Sequence, residues 1–295
     1  MRFLVIVFCV CGAFANEILL QKATEAGLVP LELSQTPQPR SQVELGKKLF
    51  FDPRISNSNQ ISCNFCHNLA LGGSNAIAQT PPFGANVPTI FNAKSDAKFI
   101  KKHLQAHITG TLTQTNTTLP AKIGVFSQYV IEFKKAFGNN VKIDFDAIAG
   151  AIGAFQSTLI TQSRYDDFLR GNIKAMSNAE MEGFEIFISR GCAKCHSGVN
   201  LGGEEVGGEE VGGEEFSMYK FGKGLKDALK VPTLRNITQS APYFKSGKIA
   251  SLRDAIVLMT KQNETLSDGE AEKIEIFLKT LEGKKPNITY PQLAN

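Results

Sequence analysis

The sequence predicts a mostly α-helical protein built from two domains of similar kind. Three observations carry this. A serine followed three positions later by an acidic residue repeatedly opens an apolar stretch of helical period, the pattern by which a helix caps its own first turn. Alternating apolar and polar runs of strand type are nearly absent. One pentapeptide pattern, Cys-x-x-Cys-His, occurs twice, at Cys63–His67 and at Cys192–His196, once in each half of the chain.

The N-terminus reads MRFLVIVFCVCGAFANE. Arg2 precedes an apolar run from Phe3 to Val10, and Ala13-Phe14-Ala15 has the small-x-small form of a signal peptidase site. This predicts a signal peptide over residues 1–15, cleaved after Ala15, and an exported, periplasmic chain. The run is too short to span a bilayer, and no other segment is apolar enough, so no membrane span is expected in the mature chain. Cleavage removes Cys9 and Cys11. The remaining cysteines, Cys63, Cys66, Cys192 and Cys195, all lie inside the two motifs.

Helical segments follow in order. Ser41 and Glu44 open SQVELGKKLF, with Val43, Leu45 and Leu49 apolar. The stretch from Asp144 to Ile160, DFDAIAGAIGAFQSTLI, is apolar nearly throughout and predicts a long buried helix. Ser177 and Glu180 open a helix running into the second motif, with Met181, Phe184 and Ile188 on one face. Ser251 and Asp254 open SLRDAIVLMTKQ, and Ser267 and Glu270 open the last helix, which Gly283 is expected to end. The two domains divide near Gln162–Arg170, giving an N-terminal domain over 16–165 and a C-terminal domain over 166–295. Between Gly202 and Glu215 a GGEEV unit repeats. Its glycines and mutually repelling glutamates predict a solvated loop just after the second motif, an expanded surface loop first of all, with an acidic patch for a basic partner as the other reading.

The formal charge is +4, and no Lys/Arg block stands out, so no nucleic acid partner is expected. The chemistry lies with the cysteines. A zinc cluster would join the four thiols and leave both histidines unexplained. A redox dithiol needs no adjacent histidine and expects a βαβ context that the sequence lacks. A c-type haem uses every residue of the motif: both thiols add to the vinyl groups of one haem, and the histidine becomes the axial ligand beneath the iron. The prediction is therefore two covalently bound haem c groups. Cys63 and Cys66 attach one, with His67 on its iron; Cys192 and Cys195 attach the other, with His196. Structural zinc or disulfide motifs are the competing reading. His103 and His107 are spaced i and i+4 and on a helix would share a face; either is a candidate sixth ligand to the first iron, or an ordinary polar surface residue.

Six blocks carry a resemblance that goes beyond the motifs: LGKKLFFDPRISNSNQISCNFCHNLALGG, VPTIFNA, AIGAFQSTLIT, GFEIFISRGCAKCHSG, KVPTLRNITQSAPYFKSG, and the helix containing Met259. In this order they resemble bacterial di-haem cytochrome c peroxidases and the related di-haem enzymes that modify methylamine dehydrogenase. The likeness runs over residues 41–285, apart from 94–125. It implies two c-type cytochrome-like haem domains in a periplasmic enzyme that reduces hydrogen peroxide to water. A small cytochrome c would deliver electrons to the C-terminal haem, of high potential, and the N-terminal haem would cleave peroxide.

The resemblance also implies ligands. Met259 falls where the family places a thioether on the iron held by His196; without the blocks around it, a Met at helical spacing reads as core. Asn86 and the carbonyls of Ser240 and Pro242 fall where the family binds a calcium ion between its domains, and oxygen ligands suit that cation. The family often forms a homodimer. Around the peroxide site the sequence departs from its relatives. LALGGSNAIAQTPPFGANVPT contains no distal histidine, and Ile100 or Lys101 stands where a tryptophan usually lies between the haems. Thr117 and Thr118 replace the region of a catalytic glutamate, and Lys245 follows Pro242-Tyr243-Phe244 where relatives carry histidine. No acid–base residue is assigned. The alternative is a catalytically degenerate di-haem electron-transfer cytochrome or redox sensor.

Overall fold

The structure, a computed structural model, describes residues 16–33, 37–74, 86–93, 112, 115, 117–202, 205–207, 228–244, 247–260 and 266–293. The predicted signal peptide, His103, His107, Ile100, Lys101, Lys245 and most of the GGEEV repeat lie outside them.

The described chain is mostly helical, as expected. Residues 16–25 form α1. Then come α2 (Arg40–Phe51), α3 (Cys63–Cys66), α4 (Thr118–Gly124), α5 (Ser127–Phe137) and α6 (Phe145–Gln156). The second half adds α7 (Arg164–Leu169), α8 (Asn178–Ser189), α9 (Leu252–Thr260) and α10 (Asp268–Leu278). Of the four expected serine-led openings, Ser177–Glu180 and Ser267–Glu270 form capping boxes, and the Ser251 hydroxyl accepts from the Asp254 amide at 3.3 Å; Ser163–Asp166 makes a further box. Ser41 does not cap α2. That helix starts at Arg40, two residues earlier than expected, behind its cap Pro39, whose carbonyl takes the amides of Gln42 and Val43, so Ser41 already sits in the first turn.

Two other boundaries moved. The helix before the second motif ends at Ser189, because Gly191 turns left-handed at φ 75°. Gly283 does not end α10, which passes into a short 3-10 turn at Lys279–Leu281. A Cβ there would lie 2.1 Å from the Thr161 carbonyl, so its bareness serves close approach. The repeat also contributes more than loop: Glu205–Gly207 pairs antiparallel with Ala228–Lys230, Glu205 opposite Lys230. The valine in each five-residue unit supplies β-propensity that its glycines and glutamates lack.

The apolar residues form two cores. The first gathers α2, α4, α5 and α6 around Leu49, Phe50, Tyr129, Phe133, Ile152 and Phe155. The second gathers α1 and α7–α10 around Tyr165, Phe168, Phe184, Phe187 and Phe277, with Phe184 stacked on Phe277 at 4.7 Å. The two chain ends cross over. Leu19, Ala23 and Leu28 pack into the second core, although sequence order places them with the first. Ile288 packs on the first core, and Tyr290 meets Phe51 edge-on at 4.9 Å.

Each core is closed by a helix pair in near contact at a glycine. An added Cβ on Gly46 of α2 would lie 1.8 Å from the Ala151 carbonyl of α6; on Gly183 of α8, 2.0 Å from the Lys273 carbonyl of α10. Backbone cannot yield as a flexible side chain can, so Gly46→Ala is expected to destabilise the protein by about 2–3 kcal/mol. A urea midpoint unchanged from wild type would show that the α2–α6 contact is not that close.

Candidate haem centres

The two motifs are built alike. In the first, the Ser62 hydroxyl accepts from the Phe65 amide at 3.2 Å and starts the single turn α3. The His67 amide closes that turn on the Cys63 carbonyl at 2.8 Å. The His67 ring is buried, and its Nδ1 lies 3.1 Å from the Pro88 carbonyl. A carbonyl only accepts, so Nδ1 carries the proton and Nε2 carries the lone pair. In the second motif, Gly191 starts a 3-10 turn over Cys192–Lys194, and the His196 amide donates to the Cys192 carbonyl at 2.9 Å. His196 Nδ1 lies 3.2 Å from the Leu201 carbonyl. Both histidines are thus held by a downstream carbonyl that fixes tautomer and orientation, the usual outer support of a metal-ligating imidazole.

The surroundings disfavour the competing chemistries. Cys63 packs on the first core and Cys192 on the second, so the pairs do not converge on one cluster. Burial, aided by the neighbouring Cys66, pushes the Cys63 thiol up to about 12; burial pushes Cys192 to about 11. Such thiols are poor nucleophiles at neutral pH, unlike those of a redox dithiol. Burial lowers the pKa of His196, only partly offset by its bond to Leu201, which keeps the imidazole neutral.

Buried polar networks brace the two cores. Asp166 and Arg235 form a fully buried pair with two bonds of 2.7 and 3.0 Å. The Asp166 carboxylate also accepts from the Leu31 amide and from the Ser163 amide and hydroxyl. Arg235 Nε reaches the Val199 carbonyl at 2.6 Å, three residues past His196. In the first core, Asp52 accepts from Arg54 and, at 2.6 Å, from the Tyr129 hydroxyl. Burial alone would raise the Asp52 carboxyl, but these hydrogen bonds outweigh it and hold it below its ordinary value. Between the cores, Asn92 and Asn236 each donate to the Thr161 hydroxyl at 2.7 Å. None of these groups was assigned from the sequence, although Arg54 and Arg235 lie inside the blocks DPRIS and PTLRN.

A family model for di-haem cytochrome c peroxidase matches residues 40–174. The cytochrome c551 peroxidase of Pseudomonas aeruginosa is 33% identical over 292 residues, which cover 89% of this chain and 84% of that protein. The chain belongs to the di-haem cytochrome c peroxidase family. Membership makes it an oxidoreductase of cytochrome c peroxidase type. The cytochrome c551 peroxidase of Nitrosomonas europaea is 34% identical over 290 residues, covering 88% of this chain and 85% of its own. The crystal structure of a MauG-like protein associated with microbial copper homeostasis shares the fold, with a TM-score of 0.65 at 20% identity, over 87% of this chain and 93% of that one.

Within this family, the residues present suit haem. Met259 does not fill the core: it is 40% exposed on α9, while Ala255 and Ile256 of the same helix are buried. Phe65 and Leu71, flanking His67, are exposed too. An open thioether on the unit that carries His196, and apolar side chains beside His67, are what a porphyrin face would cover. The structure also brings Asn86 against Pro242, 156 positions away, where the Asn86 amide donates to the Pro242 carbonyl. Coordination of a cation by both would need the amide turned to present its oxygen. The Ser240 hydroxyl is engaged by the Ile237 carbonyl at 3.1 Å. Thr117 and Thr118 stand at the start of α4 in a hydroxyl cluster with Thr115: the Thr115 amide donates to the Thr118 hydroxyl at 2.8 Å. No helix among the described residues is long and apolar enough to cross a membrane.

Proposed function

We propose that this protein is exported to the periplasm and reduces hydrogen peroxide to water, consuming two electrons and two protons per peroxide. In this reading Cys63, Cys66 and His67 hold the haem that meets peroxide. Cys192, Cys195, His196 and Met259 hold the haem that receives electrons from a small cytochrome c. When bound, haem supplies an iron that changes oxidation state one electron at a time. The chain's own part is to fix each imidazole through a backbone carbonyl, to shield the rings from water, and to offer a thioether that favours reduced iron at the second site. Calcium between the units, through Asn86 and the carbonyls of Ser240 and Pro242, and a homodimer complete the proposal; a sixth ligand from His103 or His107 would close the first iron and belongs to the rival reading below.

The carrying observation is the matched pair of motif histidines, each with Nδ1 on a carbonyl, in a chain one third identical to a cytochrome c551 peroxidase. The rival is electron transfer without peroxide cleavage. It is favoured by the Thr115–Thr117–Thr118 hydroxyl cluster, which supplies no carboxylate where relatives carry glutamate. Reduced cytochrome c mixed with peroxide and holoprotein decides between them. Sustained oxidation supports the enzyme; none, with both haems loaded and reducible, selects the carrier. Replacing Met259 by His is expected to make the second haem harder to reduce, because a thioether raises the potential relative to imidazole. An unaltered redox titration would remove Met259 from the iron.

A further inference from the structure

The loop from Ser197 to Gly202 is tied at nearly every residue. The Gly198 amide donates to the Gly27 carbonyl at 2.9 Å, and the Gly202 amide to Ser197 at 2.9 Å. The Val199 carbonyl accepts from Arg235 and the Asn200 carbonyl from the Thr233 hydroxyl, both at 2.6 Å. At its end Leu201 adopts φ 46°, a left-handed conformation that a leucine takes only at a cost. Glycine would take it freely, but the Leu201 side chain is fully buried in the second core. The result is a carbonyl aimed at His196 Nδ1.

Asn200 precedes this strained residue. Its Nδ2 donates at 3.0 Å to the Asn92 carbonyl in the other unit. Its Oδ1 is buried and has no hydrogen-bond partner among the described residues. A buried amide with an idle acceptor is unfavourable, so the single bond it makes is what sets it apart from an apolar residue. Asn92 is itself fixed, through its amide on the Leu159 carbonyl and its side chain on Thr161. It lies four residues beyond Pro88, whose carbonyl holds His67. One hydrogen bond thus links the backbone segments that orient the two motif histidines.

We propose that Asn200 is a positioning residue for the second haem: its bond to Asn92 holds the Leu201 carbonyl on the His196 ring and so sets how readily that iron is reduced. This rests on the reading of His196 as that iron's ligand. A hydrogen bond on Nδ1 makes the imidazole a stronger donor to the metal, which favours the oxidised iron. Loosening the loop weakens that bond and favours the reduced iron.

The test uses the holoprotein, the near-isosteric variants Asn200→Leu and Thr233→Val, and a fixed redox poise. In each, the ratio of reduced to oxidised second haem is expected to rise at least about threefold, with the first haem unchanged. An unchanged ratio, or an equal shift of both haems, overturns the proposal, the latter because it marks general loosening. If Asn200→Leu does not accumulate, Asn200→Ala, which also lacks the amide that reaches Asn92, decides in its place. His196→Ala, run in parallel, separates the two readings. An unaltered second-haem spectrum in that variant overturns the ligand assignment. An altered one, with no shift in the isosteric variants, overturns the positioning role alone.

Discussion

Replacing Arg235 with Met is expected to destabilise the protein by about 3–5 kcal/mol, because it strands the Asp166 carboxylate at zero exposure. The guanidinium supplies two of the bonds to that carboxylate and one to the Val199 carbonyl. The three remaining donors, from Leu31 and Ser163, do not neutralise the charge. The companion variant Asp166→Asn with Arg235→Met carries no buried charge and should recover a large part of the loss. Urea unfolding of wild type, single and double variants checks both statements. A single variant within about 1 kcal/mol of wild type would mean that water or another cation reaches Asp166.

The second large effect concerns attachment. With Cys192 and Cys195 both replaced by Ser, the mature chain made in a host that attaches c-type haem should be lighter by one haem, and its absorbance per chain should fall by about half. If the second haem receives the electrons, as proposed, oxidation of reduced cytochrome c by peroxide should stop, while the first haem still reacts with small reductants. The mirror variant, Cys63→Ser with Cys66→Ser, should keep the second haem and its reduction by the donor but lose peroxide turnover. Mass spectrometry and the visible spectrum read both directly. Retention of two haems in either double variant would refute the assigned attachment.

Much of this arrangement was legible in the residues. The capping serines at 177 and 267, the apolar run in α6 and the two pentapeptides mark local chemistry, and local chemistry survives folding. What escaped notice acts across long separations. Asp166 and Arg235 lie 69 positions apart, and nothing in either neighbourhood announces the other. The same holds for Asn92 with Asn200, and for the carbonyls of Pro88 and Leu201, which as backbone atoms carry no signature in the sequence. Ser41 misled because a cap depends on where the helix begins, and Pro39 settled that two residues earlier. Gly283 misled because glycine answers two needs, a left-handed turn and close approach, and only the packing against Thr161 distinguishes them.

The crossed ends bear on how the molecule would come apart. Leu19, Ala23 and Leu28 belong to a core encoded mostly after residue 164, and Ile288 belongs to one encoded before 160. A protease nick between α6 and α7 would therefore yield two fragments that each hold a piece of the other's interior. Such fragments should stay associated after cleavage and, made separately, should complement each other only when mixed.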